Sequence, residues 1–302
     1  MSARASFALF VTVLLSLFGV THAAADPPRT SPGTRGIYLQ ASTVQDAERL
    51  KHLIGNSLEV GINTFVVDLW TPSKSYERGI ESIRRAGIVY VPRIVVFADG
   101  GTHAQVTSPA LWEKRWRLAK YALSLGAKDI QLDYIRYNSR TKASPENARY
   151  VRRVVEFFEQ RAKDAGARLQ IDVFGDAAHA PSLHVGQDIG LLAPHVDVVC
   201  PMVYPSHYEP YRERAQLPYE TVFDSLLAVK RQIGNHPVDV LAYIELSNFR
   251  YRMGTAERID YIRAQLRAVE QAQAQGFFAW SAGNKYDLLF EVLRREQADA
   301  DS

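Results

Sequence analysis

The sequence has almost no cysteine, because Cys200 is the only thiol among 302 residues. A single cysteine excludes an intramolecular disulfide, so the chain is not one of the small secreted scaffolds that several such bonds hold together. Cys200 lies in an apolar run that is typical of a strand. This position favours a place in the core over a role as a nucleophile.

The sequence also lacks an excess of one charge and any histidine spacing typical of a metal site. Its 36 Lys and Arg residues balance 33 Asp and Glu residues, which leaves a net charge of +3. The basic residues are scattered, and this argues against a nucleic-acid-binding surface. Four of the eight histidines lie near the strand ends considered below, and none has the spacing of metal ligands: His179, His184, His195 and His207. A metal-dependent hydrolase or deacetylase is therefore disfavoured.

One apolar run, at the amino terminus, raises the question of a membrane. Arg4 precedes FALFVTVLLSLFGV (7–20), and the small residues THAAA (21–25) follow it. This is the pattern of a secretory signal peptide over residues 1–25, cleaved after Ala23 or Ala25. An amino-terminal membrane anchor is the alternative, but the run is shorter than the ~20 residues that a span needs. We therefore expect a periplasmic or secreted protein whose mature chain has no membrane span.

Beyond a linker rich in Pro, Gly and Ser (26–35), short β-rich runs alternate with amphipathic segments. The helical spacing is clearest at 145–165 and 255–275, and glycines after several helices fit left-handed caps. Eight β-rich runs are predicted as strands: 36–40, 63–69, 89–97, 129–135, 168–174, 196–204, 238–245 and 276–282.

Eight apolar strands that alternate with helices predict a parallel sheet with both faces covered. At this length the pattern favours an α/β fold of the closed (β/α)8 type, a TIM barrel, as a single domain over residues 36–298. A doubly wound open sheet is the alternative. No glycine-rich phosphate loop follows any of the strands, which argues against it.

The carboxyl ends of the strands are where such barrels carry their chemistry. Three carboxylates near these ends are candidate catalytic residues, namely Asp133, Asp172 and Glu245. Glycoside hydrolysis needs two carboxyl groups beside the scissile bond, and aromatic side chains stack on sugar rings. The candidate substrate-binding residues are Asp68, Arg93, Arg136, Tyr204, His207, Tyr208, Trp280 and Asn284.

Structural explanations compete with these assignments. Asp133 and Arg136 also fit a buried ion pair that fixes the loop after the fourth strand. Asp172 fits equally well as a partner of Arg93 across the barrel. Asp68 fits a helix cap as well as it fits a substrate contact. The sequence leaves these alternatives open.

Several strings resemble the hallmarks of a bacterial family assigned to the TIM-barrel glycoside hydrolases and long catalogued as a domain of unknown function. The resemblance covers most of residues 35–290, and more distantly the chain is similar to chitinase-like barrels. The strings are DIQLDYIRY (129–137), DVFG (172–175), GQDIG (186–190), DVVCPMVYPSHY (197–208) and GFFAWSAGNKY (276–286).

The resemblance implies a glycosidase with Asp133 as its main catalytic position. It also implies that further residues line or support the site: Asp172, Gln187, Asp188, Tyr204, His207 and Tyr208. The chain departs from the family pattern in DLWTPSK (68–74), where downstream acids and a lysine are lost. It also has Asn138 in place of a proline and Glu245 where many relatives have glutamine.

The sequence thus predicts a glycosidase that acts on a cell-wall glycan or an exopolysaccharide, a carbohydrate polymer, as a monomer and without a cofactor. In this hypothesis Glu245 is the general acid and Asp133 the nucleophile or base, held ionised by Arg136. The two carboxyl groups are able to exchange roles. The alternative is a catalytically silent carbohydrate-binding barrel, in which no second carboxylate lies within reach of Asp133.

Overall fold

The computed structural model describes residues 33–248 and 250–300. Within them, eight strands pair in parallel in the closed order β1-β2-β3-β4-β5-β6-β7-β8. The (β/α)8 barrel predicted from the sequence is confirmed. The strands are β1 (Thr34–Leu39), β2 (Thr64–Asp68), β3 (Val89–Val95), β4 (Asp129–Asp133), β5 (Arg168–Phe174), β6 (Val198–Met202), β7 (Asp239–Glu245) and β8 (Gly276–Trp280).

Helices cover the outside of the barrel. Three short 3-10 turns, Asp176–Ala178, Ala193–His195 and Pro205–His207, lie in the loops after β5 and β6. The α-helices are α1 (Ala41–Gln45), α2 (Ala47–Glu59), α3 (Lys74–Arg85), α4 (His103–Val106), α5 (Pro109–Ser124), α6 (Pro145–Asp164), α7 (Ile189–Leu192), α8 (Tyr211–Ala215), α9 (Pro218–Ile233), α10 (Thr255–Gln271) and α11 (Asp287–Ala300).

The strand boundaries differ from the prediction at both ends of the barrel. β1 begins at Thr34, inside the predicted linker, because Thr34 pairs with Gly276 where β8 closes the barrel. β4 ends at Asp133, two residues before its predicted end, because Tyr134 turns the chain out of the sheet with a φ of 54°. The predicted signal peptide (1–25) and most of the linker lie outside the described residues.

Local sequence signals explain how the helices begin and how the barrel closes. Ser144 caps α6 by accepting a hydrogen bond from the amide of Glu146, and Pro145 occupies the first turn. Gly276 starts β8, at the predicted first residue of that strand. A Cβ there would lie 1.9 Å from the carbonyl oxygen of Thr34, so only glycine allows this approach. Gln273 takes the left-handed conformation, with a φ of 54°.

The apolar side chains form two layers, one on each side of the sheet. The larger layer fills the space between strands and helices. The smaller layer lies inside the barrel and includes Tyr38, Cys200, Tyr204, Tyr243 and Phe278. Cys200 is buried there, as predicted. None of the helices in the described residues has the length and apolar character needed to cross a membrane.

Candidate active site

Three carboxylates surround one guanidinium at the carboxyl ends of β2 to β5. Arg93, on β3, donates through Nη1 to Asp68 of β2 and through Nη2 and Nε to Oδ2 of Asp133, with Nε 3.0 Å from that oxygen. Its Nε also lies 3.8 Å from Oδ2 of Asp172, on β5. The parallel register sets this arrangement, because it places Asp68 beside Arg93 and Val95 beside Asp133.

The charge balance of this cluster points to Asp172 as the group that keeps a proton. Three buried carboxyl groups share one guanidinium, so an additional proton reduces the excess of negative charge. Burial raises the pKa of Asp172 well above its ordinary value, and the neighbouring Asp133 raises it further against the opposing effect of Arg93. Its Oδ1 is buried without a hydrogen bond to any described residue. Asp172 therefore stays protonated at pH values where an exposed aspartate is ionised.

Asp133 is held at both of its oxygens. Oδ2 accepts from Arg93, and Oδ1 accepts from the amide of Tyr134 at 2.5 Å. The next residue, Tyr134, has a left-handed φ of 54°, which is costly for an aromatic residue. Backbone strain of this kind is concentrated at functional sites, because only a demanding local geometry maintains it.

Tyr38 of β1 completes the cluster, and sequence reasoning missed it. Its hydroxyl donates to Oδ2 of Asp68 at 2.5 Å, and the guanidinium of Arg93 lies 5.4 Å from the centre of its ring. Burial and the Asp68 carboxylate raise the pKa of this hydroxyl. The sequence places a tyrosine near the end of the first strand, but nothing local shows that its ring lies against Arg93.

A cavity of about 880 Å³ adjoins the cluster and is rich in aromatic side chains. The rings of Tyr204 and Trp280 lie 5.6 Å apart at 31°. The lining residues are Tyr38, Arg93, Asp133, Tyr134, Asp172, Phe174, Gly175, Asp176, His179, Met202, Tyr204, His207, Tyr208, Glu209, Tyr211, Arg214, Tyr243 and Trp280. This lining offers both apolar faces and polar groups to a ligand.

The two histidines of this lining are neutral at pH 7. Desolvation lowers the pKa of His179, with a further contribution from Arg214, and desolvation and Arg250 lower the pKa of His207. In the part of the chain that the structure describes, no three His, Cys, Asp or Glu side chains are grouped so as to hold a metal ion.

Residues 100–286, more than half of the chain, match the sequence family described as "Putative glycosyl hydrolase domain". The chain belongs to this glycosyl hydrolase family. The match contains the strands and loops that supply Asp133, Asp172, Tyr204 and Trp280. No curated protein matches the sequence.

Solved structures of glycoside hydrolases share the fold of this family member. An endo-1,4-beta-mannanase from Rhizomucor miehei is similar with a TM-score of 0.66 and 11% identity, over 89% of this chain and 95% of that chain. A class V chitinase from Pseudomonas fluorescens has a TM-score of 0.63 and 13% identity, over 87% and 98%. The spore cortex-lytic enzyme of Bacillus cereus has a TM-score of 0.63 and 12% identity, over 87% and 74%.

Among the predicted catalytic residues of this glycosyl hydrolase, Glu245 lies apart from the cavity. Its carboxylate accepts hydrogen bonds from the amide of Ser206 at 2.9 Å, the hydroxyl of Ser206 at 2.8 Å and the hydroxyl of Tyr261 at 2.5 Å. Burial raises its pKa, although the hydrogen bonds from Tyr261 and Ser206 oppose this. Glu245 thus joins β7 to the turn after β6 and to α10.

The expected ion pair between Arg136 and Asp133 was wrong, because Arg93 is the partner of Asp133. The guanidinium of Arg136 instead lies 4.8 Å from the ring centres of both Tyr134 and Phe174. Its Nη1 donates to the carbonyl of Tyr137 at 3.1 Å. Arg136 therefore supports two rings of the cavity wall rather than the carboxylate itself.

Two other predicted binding residues, Asp68 and Asn284, do not line the cavity. Asp68 is buried against Arg93 and Tyr38, and the cap of the following helix is Ser73, so the capping role considered for Asp68 was wrong. Asn284 accepts from the amide of Gln40 at 2.8 Å and donates to the carbonyl of Tyr38 at 3.2 Å. Asn284 therefore fixes the end of β1.

The loop residues implied by the family resemblance support the site. Gln187 accepts from the amide of Phe174 at 2.8 Å and donates to the carbonyl of Asp172 at 3.3 Å, so it holds the end of β5. Asp188 caps α7. Gly175 passes so close to the hydroxyl of Tyr208 that a Cβ there would lie 2.2 Å from it. These contacts join the loops after β5 and β6 into one wall.

Proposed function

We propose that this chain hydrolyses glycosidic bonds in a polysaccharide, a cell-wall glycan or an exopolysaccharide, with Asp133 and Asp172 as its two carboxyl groups. One observation carries the proposal. Both carboxyl groups contact Arg93 at the edge of an aromatic-lined cavity, and burial keeps the proton on one of them. A pair with one ionised and one protonated member is what glycoside hydrolysis requires.

The spacing of the pair supports this reaction. Oδ2 of Asp133 and Oδ2 of Asp172 lie 3.0 Å and 3.8 Å from the same nitrogen of Arg93, so they are less than about 7 Å apart. Carboxyl groups lie ~5–5.5 Å apart in retaining glycosidases and ~6.5–9.5 Å apart in inverting ones. This upper limit includes the retaining spacing and reaches only the lower end of the inverting range, so we infer a retaining reaction.

In the proposed reaction, Asp172 donates its proton to the glycosidic oxygen as the bond to the anomeric carbon breaks. Asp133 attacks the anomeric carbon and forms a glycosyl ester. Water then displaces the ester and returns its proton to Asp172. Arg93 orients Asp133 and stabilises its charge before attack and after release. The rings of Tyr204 and Trp280 supply apolar faces for the sugar.

The geometry favours Asp172 over Glu245 as the proton donor, although the sequence pointed to Glu245. Three hydrogen bonds already engage the Glu245 carboxylate, and it does not line the cavity. We assign it a structural role in holding the turn that precedes Tyr208. The expected periplasmic or secreted location is retained in the proposal, because a cell-wall glycan or exopolysaccharide lies outside the cytoplasm.

The test measures new reducing ends from purified cell-wall and exopolysaccharide fractions, chitin, chitosan and mannan. We expect Asp133→Asn and Asp172→Asn each to lower kcat by at least about 10²-fold, since each removes an acid, base or nucleophile. Asp46→Asn is the matched control, because asparagine still caps α2. Glu245→Gln is expected to have a kcat close to that of the wild type.

Two results would contradict the proposal. If Asp133→Asn keeps the activity of the wild type, Asp133 is not the nucleophile. Binding of a glycan without release of reducing ends from any fraction would favour the catalytically silent carbohydrate-binding barrel. Proton NMR of the first product formed distinguishes a retained from an inverted anomeric configuration.

A further inference from the structure

Trp70 is an exposed tryptophan on the face of the barrel that carries the cavity. It follows β2 in the loop that leads to α3, and 48% of its surface is exposed. Its indole forms no hydrogen bond or ring contact with any described residue. About half of this large apolar side chain is thus exposed without a polar or aromatic partner among the described residues, although its area favours burial.

The backbone holds Trp70 close to the carboxylate cluster. Asp68, two residues earlier, contacts Arg93, and the amide of Leu69 donates to the carbonyl of Arg93 at 3.0 Å. The side chain of Leu69 is buried, so the backbone of this segment is anchored. Two residues span at most about 7 Å, which places the backbone of Trp70 immediately beside that of Asp68.

A second exposed aromatic side chain lies on the opposite side of the same face. Tyr211 begins α8 after β6, lines the cavity and is 42% exposed, with the guanidinium of Arg250 3.9 Å from its ring centre. In the closed order of eight strands, β2 and β6 are four strands apart and therefore face each other across the barrel. Trp70 and Tyr211 thus mark opposite edges of the opening.

From this arrangement we propose that Trp70 is a sugar-stacking platform outside the cavity, and that the substrate is a chain of several sugars that crosses the barrel opening from the Tyr211 side to the Trp70 side. The C–H face of a pyranose ring is apolar, so stacking on the indole removes apolar area from water. The proposal deepens the proposed function and rests on the cavity as a sugar site.

A sugar ring is the occupant that the position supports. Trp280 ends β8 and Trp70 follows β2, and both strands neighbour β1 in the closed order, so the two indoles belong to adjacent parts of the same face. A polymer held by Tyr204 and Trp280 is therefore able to extend toward Trp70. The other large apolar side chains exposed in the described residues include Leu58 on α2 and Val89 at the start of β3. These two are aliphatic, and the two exposed aromatic ones lie on the catalytic face.

The test compares the full-length wild type with Trp70→Ala, Trp70→Phe and the control Leu58→Ala, which removes an apolar side chain of similar exposure (51%) from α2. Native affinity gels contain glycol chitin, galactomannan or polygalacturonate. Trp70→Ala is expected to bind the retarding polysaccharide about 10-fold more weakly, because the stacked apolar area is lost. Trp70→Phe is expected to bind at an intermediate level, and Leu58→Ala as the wild type does.

Hydrolysis provides a second readout that separates this proposal from the proposed function. For the polymer that is cleaved, Trp70→Ala raises KM with little change in kcat, and a single-sugar aryl glycoside is cleaved equally by both proteins. Equal retardation of Trp70→Ala and wild type, or no retardation of the wild type by any of the three polysaccharides, overturns the platform. Retardation that depends on Trp70 without any release of reducing ends supports the platform and overturns the hydrolase instead.

Discussion

Among the single residues of the site, Arg93 supplies the positive charge that three carboxyl groups share. It contacts Asp68 and Asp133 directly and lies 3.8 Å from Asp172. Burial lowers its pKa, but the charges of Asp133, Asp68 and Asp172 outweigh burial and raise it. Arg93 therefore remains charged, and it is engaged by the protein before any substrate binds.

Replacing Arg93 tests this role. In Arg93→Met the three carboxyl groups lose their shared cation, and the free energy of unfolding is expected to fall by about 3–5 kcal/mol because buried charge is left uncompensated. Urea denaturation at pH 7 measures the change. Arg85→Met removes an arginine that is 77% exposed and pairs with Glu81, so it should cost less than about 0.5 kcal/mol. Equal losses of unfolding free energy in Arg93→Met and Arg85→Met would contradict the role of Arg93 as the cation that the three carboxyl groups share.

Asp172 gives the site a pH dependence with a definite sign. Its pKa is raised in the folded protein, so the folded state holds this proton more tightly than the unfolded chain does. The free energy of unfolding therefore falls as the pH rises from ~4, the value for an unperturbed aspartate, through the raised pKa. Asp172→Asn has no proton to lose, and its stability should not show this part of the fall.

Urea denaturation of the wild type and of Asp172→Asn measures how the free energy of unfolding of each protein depends on pH. The range is roughly pH 4 to 8, from the pKa of an unperturbed carboxyl group to above that of histidine. If the two proteins show the same dependence of unfolding free energy on pH, the pKa of Asp172 is not raised in the folded state. In the proposed mechanism Asp172 is the general acid and must be protonated, so activity should depend on the same group. We expect kcat to decline as the pH rises through the pKa of Asp172.

At the scale of elements, Glu245 connects three of them. Its carboxylate, at the end of β7, binds Ser206 in the turn after β6 and Tyr261 on α10. The same turn carries the carbonyl of Ser206, to which Arg250 donates at 2.6 Å. The cavity wall formed by His207 and Tyr208 therefore depends on contacts made behind it.

Tyr261→Phe removes one donor from the buried Glu245 carboxylate and leaves the two from Ser206. We expect a loss of about 1–3 kcal/mol in the free energy of unfolding, because a charged acceptor loses a hydrogen bond away from water. A rise in KM with a smaller change in kcat is also expected, since the turn before Tyr208 loosens. Tyr219→Phe, which removes an exposed hydroxyl bonded to Gln271, is the control. A KM unchanged by Tyr261→Phe would contradict this link between α10 and the cavity.

At the level of the whole chain, the barrel is built from the described residues 33–248 and 250–300, and the processing of residues 1–25 is a separate prediction. Full-length chain produced in a bacterium is expected to be cleaved after Ala23 or Ala25, because small residues follow an apolar run headed by Arg4. Mass spectrometry of the periplasmic and medium fractions measures this. A chain that keeps residues 1–25 and sediments with membranes would instead support the amino-terminal anchor.

The sequence predicted the architecture and seven of the eighteen residues that line the cavity. The eight strands can be predicted because each is a short apolar run between helical segments. Their order along the chain is also their order in the barrel. Asp133, Asp172, Tyr204 and Trp280 were found because parallel strands bring their carboxyl ends to one face. Such inferences need only local patterns and the topology that the patterns imply.

The partners of these residues could not be predicted in the same way. Arg136 is three residues from Asp133 and was expected to pair with it, but Tyr134 turns the chain so that Arg136 packs on aromatic rings. Arg93, 40 residues away, takes its place because the register aligns β3 with β4. Tyr38 was missed because its contacts with Asp68 and Arg93 also depend on which strands are neighbours in the barrel.

Local patterns in the sequence were enough to predict the barrel and the strand ends at which the candidate carboxylates lie. The protonation of Asp172 and the structural contacts of Glu245 depend on the folded arrangement. Asp172 and Glu245 are both buried acids at strand ends, but Glu245 accepts three hydrogen bonds, whereas Asp172 lies beside another carboxylate with one oxygen unpaired. The charge state of a buried acid depends on the groups that surround it in space, and residues distant in the sequence supply those groups.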